Sequence, residues 1–304
     1  MNILVTGSSG WLGQTLVPRL ARDGHRVVGL DPEPSATTSV VGSVVDRALV
    51  RRVIREEGIT AIVHAAARHK PHIETHDNSE FVAVNVQGTL NLLEEAVAPG
   101  SPVDRFVFTS TTSLMISQEI RDGKSGGAKE AVWIDETMAP LKPRNIYGVT
   151  KLAAEELCRL FNHLHKLPVL VLRTSRFFPE EDDMAHAIKQ SGENTKANEF
   201  LFRRLSVEDA AEAHVVALAN AQEIGFDTFI VSAPTPFTRD DCHDLITDAP
   251  SVVARLFPEY HTLYERRGWT MFDTIDRVYD AGKAERVLGF RCRTDFGAIL
   301  EGLR

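Results

Sequence analysis

The chain has little of several features that define whole classes of protein. Its 304 residues include three widely separated cysteines, so the sequence indicates neither a disulfide framework nor a paired Cys-x-x-Cys site. It contains no apolar run of membrane-spanning length and nothing that resembles a signal peptide. The net charge is −8, no basic block stands out, and the pairs Arg203-Arg204 and Arg266-Arg267 are expected on the solvated surface. We therefore expect a cytoplasmic protein that binds neither membranes nor nucleic acid.

Strand-like and helix-like segments alternate through the first half of the chain. Strands are predicted at residues 3–6, 26–30, 61–64, 105–109 and 169–172. Helices are predicted at residues 14–23, 47–57 and 85–96 and from 147 to about 164. This alternation predicts an α/β fold with a doubly wound, mostly parallel sheet of the Rossmann type. Later segments are predicted as a flexible loop, a helix and a strand, at 118–129, 207–220 and 228–231 respectively.

The most informative segment is the glycine-rich turn between the first strand and the first helix. Gly7 allows a sharp turn, Gly10 leaves room for a pyrophosphate, and Gly13 lets the helix approach the strand closely. Free N–H groups and the positive end of the helix dipole then face one point, which favours an anion there. The spacing is Gly-x-x-Gly-x-x-Gly, not the commonest dinucleotide fingerprint, and a purely structural turn is the alternative.

Asp31 ends the second predicted strand, about 20 residues beyond the glycine turn. A carboxylate there can accept hydrogen bonds from ribose hydroxyls and would repel a 2′-phosphate, which favours NAD over NADP. The alternative is a turn aspartate before Pro32.

Tyr147 and Lys151 are spaced to share one face of a helix. A phenol with its ordinary pKa of about 10 is a poor acid or base at neutral pH. A fixed cation beside it favours the phenolate and is expected to lower that pKa. The pair can then move a proton to or from a substrate oxygen while a nicotinamide exchanges a hydride.

With these motifs the chain resembles the extended short-chain dehydrogenase/reductase family, of the NAD-dependent epimerase/dehydratase type. The resemblance covers nearly the whole length and rests on residues 6–13, 31, 63–67, 85–89, 108–111, 147–151, 172–173, 207–210, 283–284 and 288–290. It implies that Tyr147 is the general acid/base, that Lys151 contacts ribose and that Thr111 hydrogen-bonds the reacting oxygen. It implies NAD as the cofactor, bound by Gly7, Gly10, Trp11, Leu12, Gly13, Asp31, Ser43, Val44, Ala65, Ala66, Ala67, Asn85, Thr109, Tyr147 and Lys151.

The resemblance also implies a dinucleotide-binding domain, residues 1–172 with 203–233, and a smaller substrate-binding lobe, residues 173–202 with 234–304. A homodimer is expected to form through the helices at about 85–97 and 147–164. The apolar positions available there are Leu152, Leu157, Leu160 and Phe161.

Departures from the family pattern narrow the expected chemistry. Thr112 and Ser113 follow Thr111 where the family's 4,6-dehydratases have an Asp-Glu pair, which disfavours sugar dehydration. Arg176 stands where many relatives have a neutral Asn, and its planar fork suits a carboxylate or phosphate. We therefore expect a small, anionic substrate, contacted by Arg68, His69, Thr112 and Arg176. The alternative for Arg176 is a salt bridge with the acidic run at 180–183.

Other patterns leave alternatives open. The spacing of His69, His72 and His76 is compatible with metal ligands, but Pro71 interrupts the helix that this would need, and no metal is expected. A solvated loop or a basic rim is the alternative, and the acidic run at 180–183 is interpreted as a charged loop. Trp133 and Trp269 could line a substrate cleft or pack in a core.

The sequence therefore predicts NAD-dependent oxidation or reduction at a secondary alcohol or carbonyl of a sugar-type substrate, which is a sugar, a sugar acid or a nucleotide sugar. An epimerase and a net dehydrogenase or reductase of a sugar acid or small carbonyl compound both fit. A non-catalytic dinucleotide sensor is the third hypothesis, although such proteins normally lose the Tyr/Lys pair.

Overall fold

Among the residues that the structure describes, seven parallel strands form the central sheet. The computed structural model describes residues 1–177 and 190–304. In chain order, the strands are β1 Asn2–Thr6, β2 Arg26–Asp31, β3 Val40–Val41, β4 Ala61–His64, β5 Arg105–Thr111, β6 Val132–Ile134, β7 Val169–Thr174, β8 Phe226–Val231 and β9 Arg277–Tyr279. The sheet order is β3-β2-β1-β4-β5-β7-β8, and β6 pairs with β9 in a separate parallel ribbon. The order reverses between β1 and β4, which is where doubly wound sheets bind ligands.

Helices cover both faces of this sheet, and further helices lie outside it. They are α1 Trp11–Arg22, α2 Arg47–Glu56, α3 Asn78–Phe81, α4 Gly88–Ala96, α5 Gln118–Asp122, α6 Ile146–His165, α7 Gly192–Glu199, α8 Val207–Ile224, α9 Cys242–Leu256, α10 Tyr260–Arg267 and α11 Phe296–Glu301. Alternate strand residues face opposite layers: Ile3 and Val5 pack with α1 and α8, whereas Leu4 packs with α2, α4 and α6. The predicted α/β fold with a mostly parallel sheet is confirmed.

Segment 118–129 differs from its prediction as a flexible loop. It contains α5 and a 3₁₀ turn at Gly123–Gly126. The Ser117 hydroxyl caps α5 by accepting a hydrogen bond from the Ile120 N–H. The glycine and charge content indicated a loop, but the serine cap is sufficient to start a short helix.

Arg203 and Arg204 were expected on the solvated surface, and this prediction is wrong. Both side chains are buried, because the fully buried carboxylate of Glu199 pairs with both guanidinium groups. Arg266 and Arg267 are exposed in the last turn of α10, as expected.

A further apolar core lies outside the sheet. It is formed by residues of α7, α9, α10 and α11, together with Phe272, Ile275 and Val278. This core draws on the segments assigned to the substrate-binding lobe, although the division of the chain into two domains stays a prediction. Within the described ranges, no helix combines the length and the apolar character that crossing a membrane requires.

Candidate active site

One cleft of about 730 Å³ lies beyond the carboxyl ends of β1, β2, β4, β5 and β7. Most of the residues predicted from the sequence line it: Gly7, Gly10, Trp11, Leu12, Asp31, Ser43, Val44, Ala65, Ala66, Ala67, Arg68, His69, Thr109, Thr111, Thr112, Tyr147, Lys151 and Arg176. Gly13 and Asn85 lie behind its wall. The parallel strands bring these scattered segments to one edge of the sheet.

The conformation of the turn from Gly7 to Gly13 accounts for the spacing of its glycines. Gly7 has a φ of +74°, and a Cβ there would lie 2.7 Å from the backbone nitrogen of Ala66. A Cβ on Gly13 would lie 2.3 Å from the carbonyl oxygen of Gly7. Gly10 lines the cleft, and a Cβ on it would meet only that same oxygen, at 3.4 Å. Glycine at position 10 therefore keeps open a space at the positive end of α1, which suits a pyrophosphate.

Asp31 presents a fixed carboxylate beside this turn. One of its oxygens accepts a hydrogen bond from the Ser9 N–H at 3.1 Å, and the other accepts one from the Glu33 N–H at 2.9 Å. The side chain still reaches the cleft, so its remaining lone pairs can accept from ribose hydroxyls. The open space at Gly10 and this carboxylate fit a dinucleotide without a 2′-phosphate.

Asn85 supports the wall of the cleft from behind. Its amide oxygen accepts from the Arg68 N–H at 2.8 Å, and its amide nitrogen donates to the Arg68 carbonyl at 2.9 Å. The same nitrogen donates to the Thr150 hydroxyl at 3.0 Å. Asn85 therefore links the segment after β4 to helix α6, and acts on the cleft through these neighbours.

Tyr147, Thr111 and Lys151 meet where β5 ends against α6. The N-terminus of α6 is capped by Asn145, whose side-chain oxygen accepts from the Gly148 N–H at 2.9 Å. The side chains of Tyr147 and Thr111 both line this part of the cleft, and Thr111 is near enough to influence the phenol. Lys151 is buried with its ammonium 4.1 Å from the centre of the Phe108 ring.

Burial has the largest effect on the pKa values of Tyr147 and Lys151 in the protein alone. It raises the pKa of Tyr147 to about 12, although the neighbouring Thr111 hydroxyl acts in the opposite direction. Burial also lowers the pKa of Lys151 to about 7, which Glu155 partly offsets. The phenol pKa was expected to be lowered by the nearby cation, and this expectation is wrong. Desolvation is the largest cause of the shift in each pKa.

Two buried histidines hold the ends of the strands. Burial lowers the pKa of His214 to about 4 and that of His64 well below its ordinary value, so both are neutral. His214 donates through Nδ1 to the Ala210 carbonyl, so its Nε2 accepts from the Thr109 hydroxyl at 2.8 Å. His64 Nδ1 lies 2.7 Å from the Thr6 hydroxyl. These contacts fix strand ends that line the cleft.

The other end of the cleft is rich in arginine. Arg68 and Arg176, which were expected on one rim, line the same cleft. Sequence reasoning missed Arg121, Arg144, Phe177, Arg203, Arg277 and Tyr279, which also line it. Most of them follow segments with no motif, so the sequence carried no local signal for them. Two adjacent arginines in a sequence are typical of a solvated surface, whereas Arg203 is buried against Glu199 and lines the cleft.

The structure also locates the histidines and the tryptophans for which the sequence left alternatives open. No group of metal ligands forms among residues 1–177 and 190–304. His69 and His72 line the cleft, and the ring of His72 meets those of His69 and His76 edge to face. Trp133 and Trp269 pack against the core outside the sheet and are not in the cleft wall. The acidic run at 180–183, and with it the salt bridge considered for Arg176, lies outside the described residues.

Comparisons with known proteins identify the family of this chain. The sequence pattern of the NAD dependent epimerase/dehydratase family matches residues 3–231. The chain is 32% identical to the low-salt glycan biosynthesis protein Agl12 of Haloferax volcanii, over 59% of this chain and 57% of that protein. It is 27% identical to UDP-glucuronate 4-epimerase 3 of Arabidopsis thaliana, over 57% of this chain and 41% of that protein. The chain therefore spans about half the length of these relatives.

Two further matches extend over the whole chain. The UDP-glucose 4-epimerase of Mycolicibacterium smegmatis is 27% identical, over 100% of this chain and 96% of that protein. A crystal structure of a short-chain dehydrogenase/reductase superfamily protein from Agrobacterium tumefaciens with bound NAD superposes with a TM-score of 0.69. It is 24% identical and covers 100% of this chain and 96% of that one, which shows a shared fold.

The buried ammonium of Lys151 gives a prediction about stability. Because its pKa falls from 10.5 to about 7 on folding, the unfolded chain binds one more proton between these pH values. Burying the ammonium is therefore most costly below about pH 7, and this cost disappears as the pH rises towards 10.5. Lys151→Met should melt at a higher temperature than the wild type at about pH 6, with a smaller difference near about pH 10.

Thermal unfolding followed by circular dichroism checks this prediction. Lys196→Met, which replaces an exposed lysine of α7, is the control and should show no such pH dependence. A Lys151→Met protein that melts below the wild type at both pH values would contradict the assignment.

Proposed function

Because this chain belongs to the NAD-dependent epimerase/dehydratase family, we propose that it catalyses oxidation or reduction at a secondary alcohol or carbonyl carbon of an anionic sugar-type substrate. The observation that carries the proposal is that Tyr147, Thr111 and Lys151 line the same cleft as the glycine turn, with Lys151 one helical turn from Tyr147. A non-catalytic dinucleotide sensor would not need an acid/base group facing the cofactor cleft.

The residues have distinct roles in this proposal. The first turn of α1 and Asp31 bind the pyrophosphate and one ribose of NAD, and Ser43 and Val44 lie by the adenine. Bound NAD supplies the acceptor or donor of the hydride. Tyr147 takes a proton from the substrate hydroxyl during oxidation, or gives one to the carbonyl oxygen during reduction. Thr111 orients that oxygen, and Lys151 donates to a ribose hydroxyl, which supplies its ammonium with a hydrogen-bond acceptor.

The cleft offers little for dehydration. Among the described residues that line it, the only carboxylates are Asp31 and Glu33, and both lie at the end assigned to adenosine. Thr112 and Ser113 occupy the positions beside Thr111, so no acid follows it. Abstraction of a proton from a second carbon would need such a base, which supports an epimerase or a net oxidoreductase.

The substrate end favours a negative charge. Arg277 Nε and Ser175 Oγ are buried in the cleft wall without a hydrogen-bond partner among the described residues. Buried donors without a partner are costly, so a substrate that supplies acceptors is favoured there. Arg176 and Arg203 add two guanidinium groups, which bind carboxylates and phosphates well. Some relatives, such as the UDP-glucuronate 4-epimerases, are named for substrates that carry both of these groups.

Removing the phenolic hydroxyl tests the proposed chemistry. The assay screens free sugars, sugar acids and nucleotide sugars for NADH formation and for epimerised product. A dehydrogenase forms stoichiometric NADH, whereas an epimerase converts its substrate without net NADH. Tyr147→Phe should lose at least about a hundredfold in turnover, because the transferable proton is gone, and should keep its affinity for NAD.

The matched control is Tyr260→Phe, a buried tyrosine outside the cleft, which should retain activity. A loss of less than about tenfold in Tyr147→Phe would count against its role as acid/base.

Asp31 is expected to set the preference for NAD. Asp31→Ala removes the acceptor for the ribose hydroxyls and the charge that repels a 2′-phosphate. The variant should bind NAD more weakly than the wild type does. Its affinities for NAD and NADP should also differ less, as measured by titration calorimetry. Asp104→Ala, at an exposed site away from the cleft, is the control. Equal affinity of the wild type for NAD and NADP would show that the assignment is wrong.

We also propose a homodimer. Of the four positions suggested by the sequence, Phe161 lies in the core beneath α6, and Leu160 is 46% exposed. Leu160 shares one face of α6 with the exposed Val149 and Leu164. Leu160→Glu should shift the mass measured by light scattering from dimer to monomer. Leu256→Glu, at an exposed leucine of α9, should not. A monomeric wild type at micromolar concentration would contradict the proposal.

A further inference from the structure

A buried carboxylate lies at the centre of three arginines beside the substrate end of the cleft. Glu199 is the last residue of α7, and its side chain is fully buried. One carboxylate oxygen accepts from Arg203 and lies 4.0 Å from Arg176 Nη1. The other oxygen accepts from Arg204 Nη1 at 2.8 Å. The carboxylate thus links guanidinium groups that originate in different segments.

This position is unfavourable for an acid in two respects. The C-terminus of a helix carries the negative end of its dipole, so a carboxylate there is repelled. Removing a carboxylate from water also costs free energy, and an apolar residue of similar size is often more stabilising than a buried ion pair. The contacts of Glu199 with arginine offset these costs. A gain in folding stability therefore does not by itself explain why position 199 carries a carboxylate.

The backbone fixes where the arginines begin. Arg176 follows β7 and forms an isolated parallel bridge with Arg204. The Leu205 N–H donates to the Arg176 carbonyl at 3.0 Å, and the Arg176 N–H donates to the Arg203 carbonyl at 3.3 Å. These bonds bring the two segments together. They do not determine the direction of the long side chains, which contact with Glu199 constrains.

The three arginines are not equivalent. Arg176 and Arg203 line the cleft, whereas Arg204 does not. Because one carboxylate oxygen faces both cleft-lining guanidinium groups, Glu199 holds them near each other before any ligand arrives. Side chains that are already fixed lose less conformational entropy when a ligand binds, so the entropic cost of binding is lower.

We propose that Glu199 is a positioning residue that holds Arg176 and Arg203 as one anion-binding pair, and that this pair binds a carboxylate or phosphate group of the substrate. The identification of the ligand as the substrate rests on the proposed function. Anion binding itself does not require turnover, so the two can be tested separately.

The first experiment measures binding to the NAD-loaded protein by titration calorimetry. The probes are D-glucuronate, which carries a carboxylate, UDP-glucose, which carries phosphates, and neutral D-glucose. The wild type should bind at least one anionic probe at least about tenfold more tightly than glucose. Glu199→Gln should remove most of that advantage without changing the affinity for NAD. The probe that loses affinity identifies the carboxylate or the phosphate as the group bound.

The matched control is Glu193→Gln, which removes an exposed acid from the same helix and should leave the anion preference intact. A double-mutant cycle then separates positioning from a general loss of structure. Arg203→Gln should also lose the preference, and the double variant Glu199→Gln/Arg203→Gln should lose no more than either single variant. If a probe turns over, the loss in Glu199→Gln should lie in KM and not in kcat.

Several outcomes would overturn the proposal. These are a wild type without anion preference, a Glu199→Gln protein that keeps it, or additive losses in the cycle. If Glu199→Gln does not fold, Arg203→Lys replaces it, since an ammonium keeps the charge but lacks the fork, and full retention of the preference would then overturn the proposal. Anion binding that depends on Glu199 without any turnover would reject the proposed function alone. Turnover of an anionic substrate with a KM that is unchanged in Glu199→Gln would reject the inference alone.

Discussion

The geometry of the candidate active site depends on one buried ion pair. Glu155, one turn beyond Lys151 on α6, accepts from Arg173 Nη2 of β7 at 2.7 Å and from the Ser110 hydroxyl of β5 at 2.5 Å. All three side chains are buried, so the pair is not weakened by solvent. Because a single carboxylate contacts two strands, it fixes the position of α6 along the strand direction. That position places Tyr147 and Lys151 at the strand ends.

The same burial sets the chemical character of the site. Desolvation raises the pKa of Tyr147 and lowers that of Lys151, so the protein alone disfavours the charged form of each. Such a pair does not serve stability, and functional sites commonly carry costs of this kind. The cleft is also polarised along its length, with the Asp31 carboxylate at one end and guanidinium groups at the other. This polarity favours one orientation of an elongated ligand whose hydroxyls meet Asp31 and whose anionic group meets arginine.

Part of the site could be predicted because its signals are local. The turn from Gly7 to Gly13 encodes its own conformation, and the spacing of Tyr147 and Lys151 places both on one helix face. The parallel sheet then brings Asp31 to the same edge, because parallel strands end side by side. The pKa of Tyr147 could not be predicted in this way, since it depends on how much water reaches the phenol.

The sequence by itself determined the fold class, the strand–turn–helix at Gly7 and the presence of a Tyr/Lys pair, because each follows from periodicity or from short-range spacing. Only the tertiary structure decided that Arg203 faces a cleft and that Glu199 holds it. The bridge between Arg176 and Arg204 joins segments that are distant in the sequence, and the burial of Glu199 requires the core that forms outside the sheet. A charge on a helix looks like a surface feature in sequence. Its partners across the fold decide whether it is one.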